Sequence, residues 1–196
     1  MRRLFLLSPA STAGKRAELL FSGSAGFDLA VRLRSSPGVP IGEVFSFLSS
    51  LYFRGKLTYA RRFASPSSAI RVITSDRGLV PPDLHVTLDD LRTMARGDID
   101  PRHQPYRVPF EREAERLARG LEPDGEIILL GSIATGKYSD LLTAFGDRLK
   151  FPATFVGRGD MSRGGLLLRA VREETELDYV GLAGTALRGS RPPKLR

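Results

Sequence analysis

Glu126-Ile-Ile-Leu-Leu130-Gly-Ser132-Ile-Ala-Thr-Gly136-Lys137-Tyr138 is the stretch on which the fold of this chain turns. Residues 127–130 are an unbroken apolar run, the pattern of a strand buried on both faces. Gly131-Ser132 ends the run, and residues 137–149 read as an amphipathic helix. Strand, glycine turn and helix make half of a parallel βαβ unit. Working outward, the same alternation recurs. Residues 4–7 form a short apolar strand stopped by Ser8-Pro9, and 14–21 and 27–33 read as short helices. Residues 43–64 are the longest helix candidate, with Gly55 as a break or bend. Residues 70–74 are a β-branched second strand, and Thr87 caps a short helix over 88–95. Residues 98–109 hold three prolines and read as irregular, and 110–120 as a charged helix ended by glycine. Residues 153–156 are a fourth strand candidate. Residues 166–172 and 176–182 read as a hairpin around Glu173-Glu174-Thr175, with a helix from Ser162 to Arg172 as the competing reading. The expected fold is therefore α/β: one domain over 1–187, a mostly parallel sheet of four or five strands flanked by helices, and a basic tail over 188–196.

The chain has 196 residues, with 41% apolar and 27% charged, the composition of a chain that folds around a core. No apolar run approaches the ~20 residues of a membrane-spanning helix. The opening Met-Arg-Arg-Leu-Phe-Leu-Leu is interrupted at Ser8-Pro9, well short of the roughly 7–15 apolar residues of a signal core. Cysteine is absent, which excludes disulfides, thiolate metal sites and a cysteine nucleophile. His85 and His103 cannot build a multi-histidine metal site. The expectation is a cytoplasmic protein with no metal, no cofactor and no membrane partner. The net charge is +8, with arginine supplying all but five of the 30 basic residues. Arginine reads phosphate bidentately and stacks on bases, so the excess points to an anionic partner.

In open α/β sheets ligands bind beyond the carboxyl ends of the strands. Here those ends are Ser8, Thr74-Ser75, Gly131-Ser132 and Gly157-Arg158-Gly159-Asp160, and they are expected to share one face. Gly131 to Lys137 matches G-x-x-x-x-G-K between a strand and a helix, the place of a phosphate-binding loop. Tyr138 stands where a magnesium-binding Ser or Thr belongs, which argues against a nucleoside triphosphatase. A phosphate cradle of backbone N–H groups and Lys137 is the remaining reading; an ordinary turn is its rival. Phe155-Val-Gly-Arg158-Gly-Asp160-Met-Ser162-Arg163-Gly-Gly holds two arginines and an aspartate among four glycines. Arg158 and Arg163 are candidate phosphate clamps, and Asp160 is a candidate proton acceptor. Asp76, just after the second strand, is a second candidate base, and Arg77 beside it is a candidate phosphate ligand. Lys15 and Arg16 extend the basic set. Residues 48–63 mix basic and aromatic side chains, as nucleic-acid surfaces do, though an amphipathic helix with its aromatics inside and its arginines in water is the preferred reading.

The order of these pieces resembles the YaaA peroxide-stress family. The carriers are Leu6-Leu7-Ser8-Pro9-Ala10-Ser11-Thr12, the segment Ile73-Thr74-Ser75-Asp76-Arg77-Gly78-Leu79-Val80-Pro81-Pro82, the strand over 127–130 running on to Tyr138, and Met161-Ser162-Arg163. The resemblance spans roughly residues 4–168 and implies an α/β domain with a basic, DNA-binding cleft. Gly159-Asp160 and Gly164-Gly165 depart from the family's helix around Met-Ser-Arg.

Two functions compete. The first is a nucleic-acid-binding protein, DNA before RNA, that processes a base or nucleotide. Its catalytic candidates are Asp160 and Asp76. Its phosphate contacts are Ser8, Lys15, Arg16, Ser75, Arg77, Gly131, Ser132, Gly136, Lys137, Tyr138, Arg158, Ser162 and Arg163. The second is a small-molecule enzyme or sensor that holds a nucleotide or phosphosugar at the strand ends. As an enzyme, the expected class is a hydrolase.

Overall fold

A computed structural model describes residues 2–49, 51–66, 69–133 and 136–181. Four parallel strands make the centre: β1 (Arg3–Leu7), β3 (Ile70–Ile73), β6 (Glu126–Leu130) and β7 (Leu149–Pro152). Two short antiparallel strands close the edges, β4 (Leu79–Val80) beside β3 and β8 (Tyr179–Gly181) beside β7. The order is β4-β3-β1-β6-β7-β8. A separate two-stranded ladder joins β2 (Val39–Pro40) to β5 (His85–Val86).

Side chains alternate across a strand, so β1 feeds two cores. Phe5 and Leu7 join Ile70, Val72, Ile128 and Leu130 on one face. That face is covered by α1 (Lys15–Phe21), α2 (Asp28–Arg34), α3 (Ile41–Ser49), α4 (Leu51–Phe63), α5 (Leu88–Arg96) and α8 (Asp160–Arg172). Leu4 and Leu6 join Ile73, Ile127 and Leu129 on the other face. There α6 (Gln104–Arg119) packs Tyr106, Phe110, Ala114 and Leu117, and α7 (Ser139–Leu142) packs Leu142. Burial on both faces is why residues 4–7 and 127–130 read as unbroken apolar runs. Among the described residues no helix is long and apolar enough to cross a membrane.

The α/β class and the parallel centre are as expected, but five local readings change. Residues 43–64 are helical on both sides of residue 50, which lies outside the described residues, and the two stretches are α3 and α4. Gly55 lies inside α4 and is not its break. A Cβ there would stand 2.9 Å from the Gly164 carbonyl oxygen, and one on Gly164 would stand 2.9 Å from Leu51 O. The two glycines let α4 and α8 cross at backbone contact. Residues 166–172 form helix and not a hairpin strand, because Gly164, Leu167 and Ala170 bury one helical face against α4. β8 instead pairs with β7. The last parallel strand is Leu149–Pro152, earlier than residues 153–156, which begin a 3-10 turn. The helix expected over 137–149 is only α7 followed by a 3-10 segment, Thr143–Arg148, with Gly146 at φ 53°. Finally, α6 begins at Gln104 despite its prolines. Pro105 falls in the first turn, where no N–H is needed, and burial of Tyr106 and Phe110 holds the rest. The tail over 188–196 lies outside the described residues.

Candidate functional site

The register sets the carboxyl ends of the central strands side by side. Leu7 pairs with Val72 of β3 and with Leu130 of β6, so Ser8, Ile73 and Gly131 emerge at one level. Ser8 N–H donates to Leu130 O at 3.2 Å, and Ser8 Oγ donates to the same carbonyl at 3.3 Å. Gly131 lies against that serine: a Cβ at 131 would stand 2.9 Å from Ser8 Cβ and 3.2 Å from Ser8 Oγ. Two strands further on, Ser75 Oγ donates to Met94 O at 2.7 Å and is buried. Thr74 closes the turn after β3 by accepting from Arg77 N–H and donating to Gly78 O.

A lysine from α4 reaches into this edge. Lys56 is 1% exposed, and its Nζ donates to Ser8 O at 2.5 Å and to Ser8 Oγ at 2.8 Å. It sits over the Tyr52 ring at 4.3 Å and the Phe53 ring at 5.1 Å. No carboxylate of the described residues forms an ion pair with it. Burial pushes its pKa down from 10.5 to about 7; Asp160 opposes that shift and Arg163 adds to it. The Tyr52 hydroxyl is also buried, with no hydrogen-bond partner of normal geometry. Burial holds its pKa far above the usual phenol value, with Arg163 acting against that rise.

The remaining candidates fall around this centre. Asp160 opens α8 with its side chain 70% exposed, and its Oδ1 lies 3.7 Å from Arg163 Nη1. Arg163 is buried by comparison and donates from Nε and Nη2 to Phe155 O. Arg158 donates to Thr154 O and to Ser162 Oγ. Both arginines therefore brace the turn after β7. Arg77 pairs with Asp76 at 3.2 Å and with Asp90. Asp76 Oδ1 is buried without a hydrogen-bond partner. Burial raises Asp90, but hydrogen bonds from Arg77 and Thr87 outweigh it and hold the carboxyl at about 2. Arg16 donates to Phe47 O at 2.7 Å, and Lys15 is exposed at the start of α1.

At the G-x-x-x-x-G-K segment, Ala134 and Thr135 lie outside the described residues. Gly136 has φ 68°, and a Cβ there would stand 2.6 Å from Asp140 Oδ2. A carboxylate thus lies against this turn, and the helix behind it has four residues. Tyr138 is half-buried, and burial raises its pKa to about 12. Lys137 is exposed and lines a cavity of about 200 Å3 with Pro9, Ser11, Phe45, Ser75 and Asp98. A second cavity, about 290 Å3, shares Ile99 and Lys137 and adds Asp100, Arg102 and Asp140. Ser8, Ser75, Lys137 and the start of α8 are thus brought to one edge of the sheet.

Comparison with family models, curated proteins and solved structures finds no match.

Sequence reasoning placed Lys56 and Tyr52 in the basic and aromatic stretch over 48–63 but not among the site residues. Their signal was present: Tyr52, Lys56 and Tyr59 recur at helical spacing among Phe53, Leu57 and Ala60, so a lysine stands on an apolar stripe. Neither histidine gathers metal-ligand partners. His103 Nδ1 lies 3.2 Å from Asp98 O, His85 is exposed, and the described residues hold no cluster of three or more His, Asp or Glu suited to a metal.

Proposed function

We propose that this protein binds a phosphate-bearing small molecule, a nucleotide or phosphosugar, at the carboxyl ends of its parallel strands. The observation that carries this reading is the cavity between the ends of β1 and β3, walled by Lys137. Concave sites at strand ends are where α/β sheets hold ligands. The exposed lysine supplies a positive charge at its mouth, and Ser11 and Thr12 supply hydroxyls. The contact is a lysine-and-hydroxyl contact rather than a backbone nest, because Asp140 stands against the Gly136 turn.

Nucleic-acid binding is the second reading, and the charge excess favours it, as does the resemblance to the YaaA family. Many individual guanidiniums are held in ion pairs, however, although pairing leaves the net charge of +8 unchanged. Arg32, Arg61, Arg62, Arg77, Arg92, Arg102, Arg107 and Arg116 each pair with an acid. The small ligand is preferred because of the cavity lined by Lys137.

The test is binding of nucleoside monophosphates, diphosphates and pentose phosphates, read by calorimetry. Lys137→Ala is expected to weaken the bound member by roughly 1.5–3 kcal/mol, the scale of a charge-assisted hydrogen bond. Binding of none of these compounds, or equal binding by Lys137→Ala, overturns the reading.

A further inference from the structure

Lys56 and Ser8 are the buried polar pair that ligand binding at Lys137 does not use. A lysine buried without an acid is costly, and a chain that needed only packing there would place a methionine or leucine. Its contacts are also specific. Nζ lies 2.8 Å from Ser8 Oγ, at the end of the central strand of the parallel sheet. Gly131 packs its backbone against that serine, where a side chain would collide with it. One helical turn before Lys56, the Tyr52 hydroxyl is buried with its donor unused. We propose that Ser8 is a nucleophile and Lys56 its general base, and that the pair hydrolyses an ester or thioester through an acyl-Ser8 intermediate. The proposal stands independently of the phosphate reading.

The ammonium form of Lys56 donates to both oxygens of Ser8. The free amine keeps one N–H on Ser8 O and turns its lone pair to Oγ. The hydroxyl proton then leaves its long bond to Leu130 O for Nζ. Serine–lysine pairs of this kind serve acyl transfer on unrelated folds. As Oγ bonds to the carbonyl carbon, Lys56 takes the Oγ proton. Lys56 next passes its proton to the leaving oxygen or sulfur as that bond to carbon breaks. Water then gives a proton to Lys56 and bonds to the acyl carbon. The Oγ–acyl bond breaks, and the proton returns to Oγ. One ester and one water become one acid and one alcohol. The charged and titratable groups around the pair are Tyr52 on α4, Asp160 and Arg163 on α8, and Tyr138, which acts on Tyr52.

The test treats the full chain with a fluorophosphonate probe and with p-nitrophenyl acetate. Mass spectrometry locates the adduct. The wild type is expected to gain one adduct on Ser8, at a rate that rises with pH through a single titration near the Lys56 value of about 7. Ser8→Ala is expected to gain none. Lys56→Arg keeps a positive donor but cannot accept a proton at these pH values. It is expected to slow labelling and ester turnover by about 10²-fold or more, the scale of general-base catalysis. Three results overturn the proposal: no adduct on Ser8 of the wild type, equal rates for Lys56→Arg, or a pH-independent labelling rate. If Lys56→Arg fails to fold by circular dichroism, the wild-type adduct and its pH profile decide by the same criteria.

Discussion

Lys56 shows how one residue can be costly and still be held in place. Its charged form loses hydration on burial, and the compensation comes from two oxygens of Ser8 and two aromatic faces rather than from a carboxylate. The unfolded chain returns it to its ordinary value. Between about 7 and 10.5 the unfolded state therefore holds a proton that the folded state has lost. Stability must rise with pH across that window, by up to about 1.4 kcal/mol per pH unit from this group alone. Below about 7 both states are protonated and the penalty is felt in full. Lys56→Met removes the titrating group. Urea unfolding of both proteins at a series of pH values is expected to show wild-type stability catching up with the variant as pH rises. Parallel pH curves for the two proteins would show that Lys56 titrates normally. The lysine was readable in the sequence as a misfit on an apolar stripe. Its partner was not, because Ser8 lies 48 positions away and only the packing of α4 on β1 joins them.

Among the elements, the crossing of α4 and α8 decides how the site is held. It brings Lys56 and Tyr52 from one helix to Arg163 and Asp160 from the other. Gly164 permits the crossing: a Cβ there would meet Leu51 O at 2.9 Å and Tyr52 Cα at 3.0 Å, both backbone atoms that cannot swing aside. Gly165, its neighbour in the same helix, would meet nothing within 4 Å. The two glycines therefore predict opposite signs. Gly165→Ala gains helix propensity and is expected to stabilise by up to ~1 kcal/mol. Gly164→Ala makes the same gain but overpacks the crossing. It is expected to destabilise by a net of up to about 2 kcal/mol, since forced core contacts cost about 1–3 kcal/mol and the propensity gain offsets about 1. Midpoints of urea unfolding measure both, and a stabilised Gly164→Ala would mean that the helices separate freely. The sequence left Gly164-Gly165 open between a loop and a helix from Ser162 to Arg172. Which helix face they occupy depends on what packs against it, so a helix with buried glycines was read partly as hairpin.

At the scale of the whole molecule, charge is spread unevenly. The net charge is +8, and Arg188, Arg191, Lys194 and Arg196 contribute four positive charges with no acid among residues 182–196. Polyanion binding driven by these residues is counterion release and falls steeply between about 50 and 200 mM salt. Small-ligand binding at Lys137 involves one local contact and depends weakly on the tail. A chain ending at Leu187 is thus expected to lose duplex DNA affinity and to flatten its salt dependence, while its affinity for the nucleotide or sugar phosphate stays the same. Fluorescence anisotropy on labelled duplex and calorimetry on the small ligand separate the two. Equal loss in both would place the small ligand on the tail as well.

The sequence by itself determined the α/β class, the central strands over 4–7, 70–73 and 126–130, and the gathering of their Ser and Gly ends. Those features are local: apolar runs the length of a strand, and glycines or hydroxyl residues that end them. Thr87 as the cap of its helix was legible for the same reason, whereas its capping box with Asp90 is a finding of the structure. Only the tertiary structure decided which functional groups meet. The pairing of Arg77 with Asp90, the carboxylate of Asp140 against the Gly136 turn, and the amine of Lys56 on Ser8 are all set by packing. Burial then changes the chemistry of what it joins. An exposed lysine is a charged surface group, whereas the same side chain held dry beside a hydroxyl is a base. Sequence periodicity reports which face is apolar, but not which atom lies across from it.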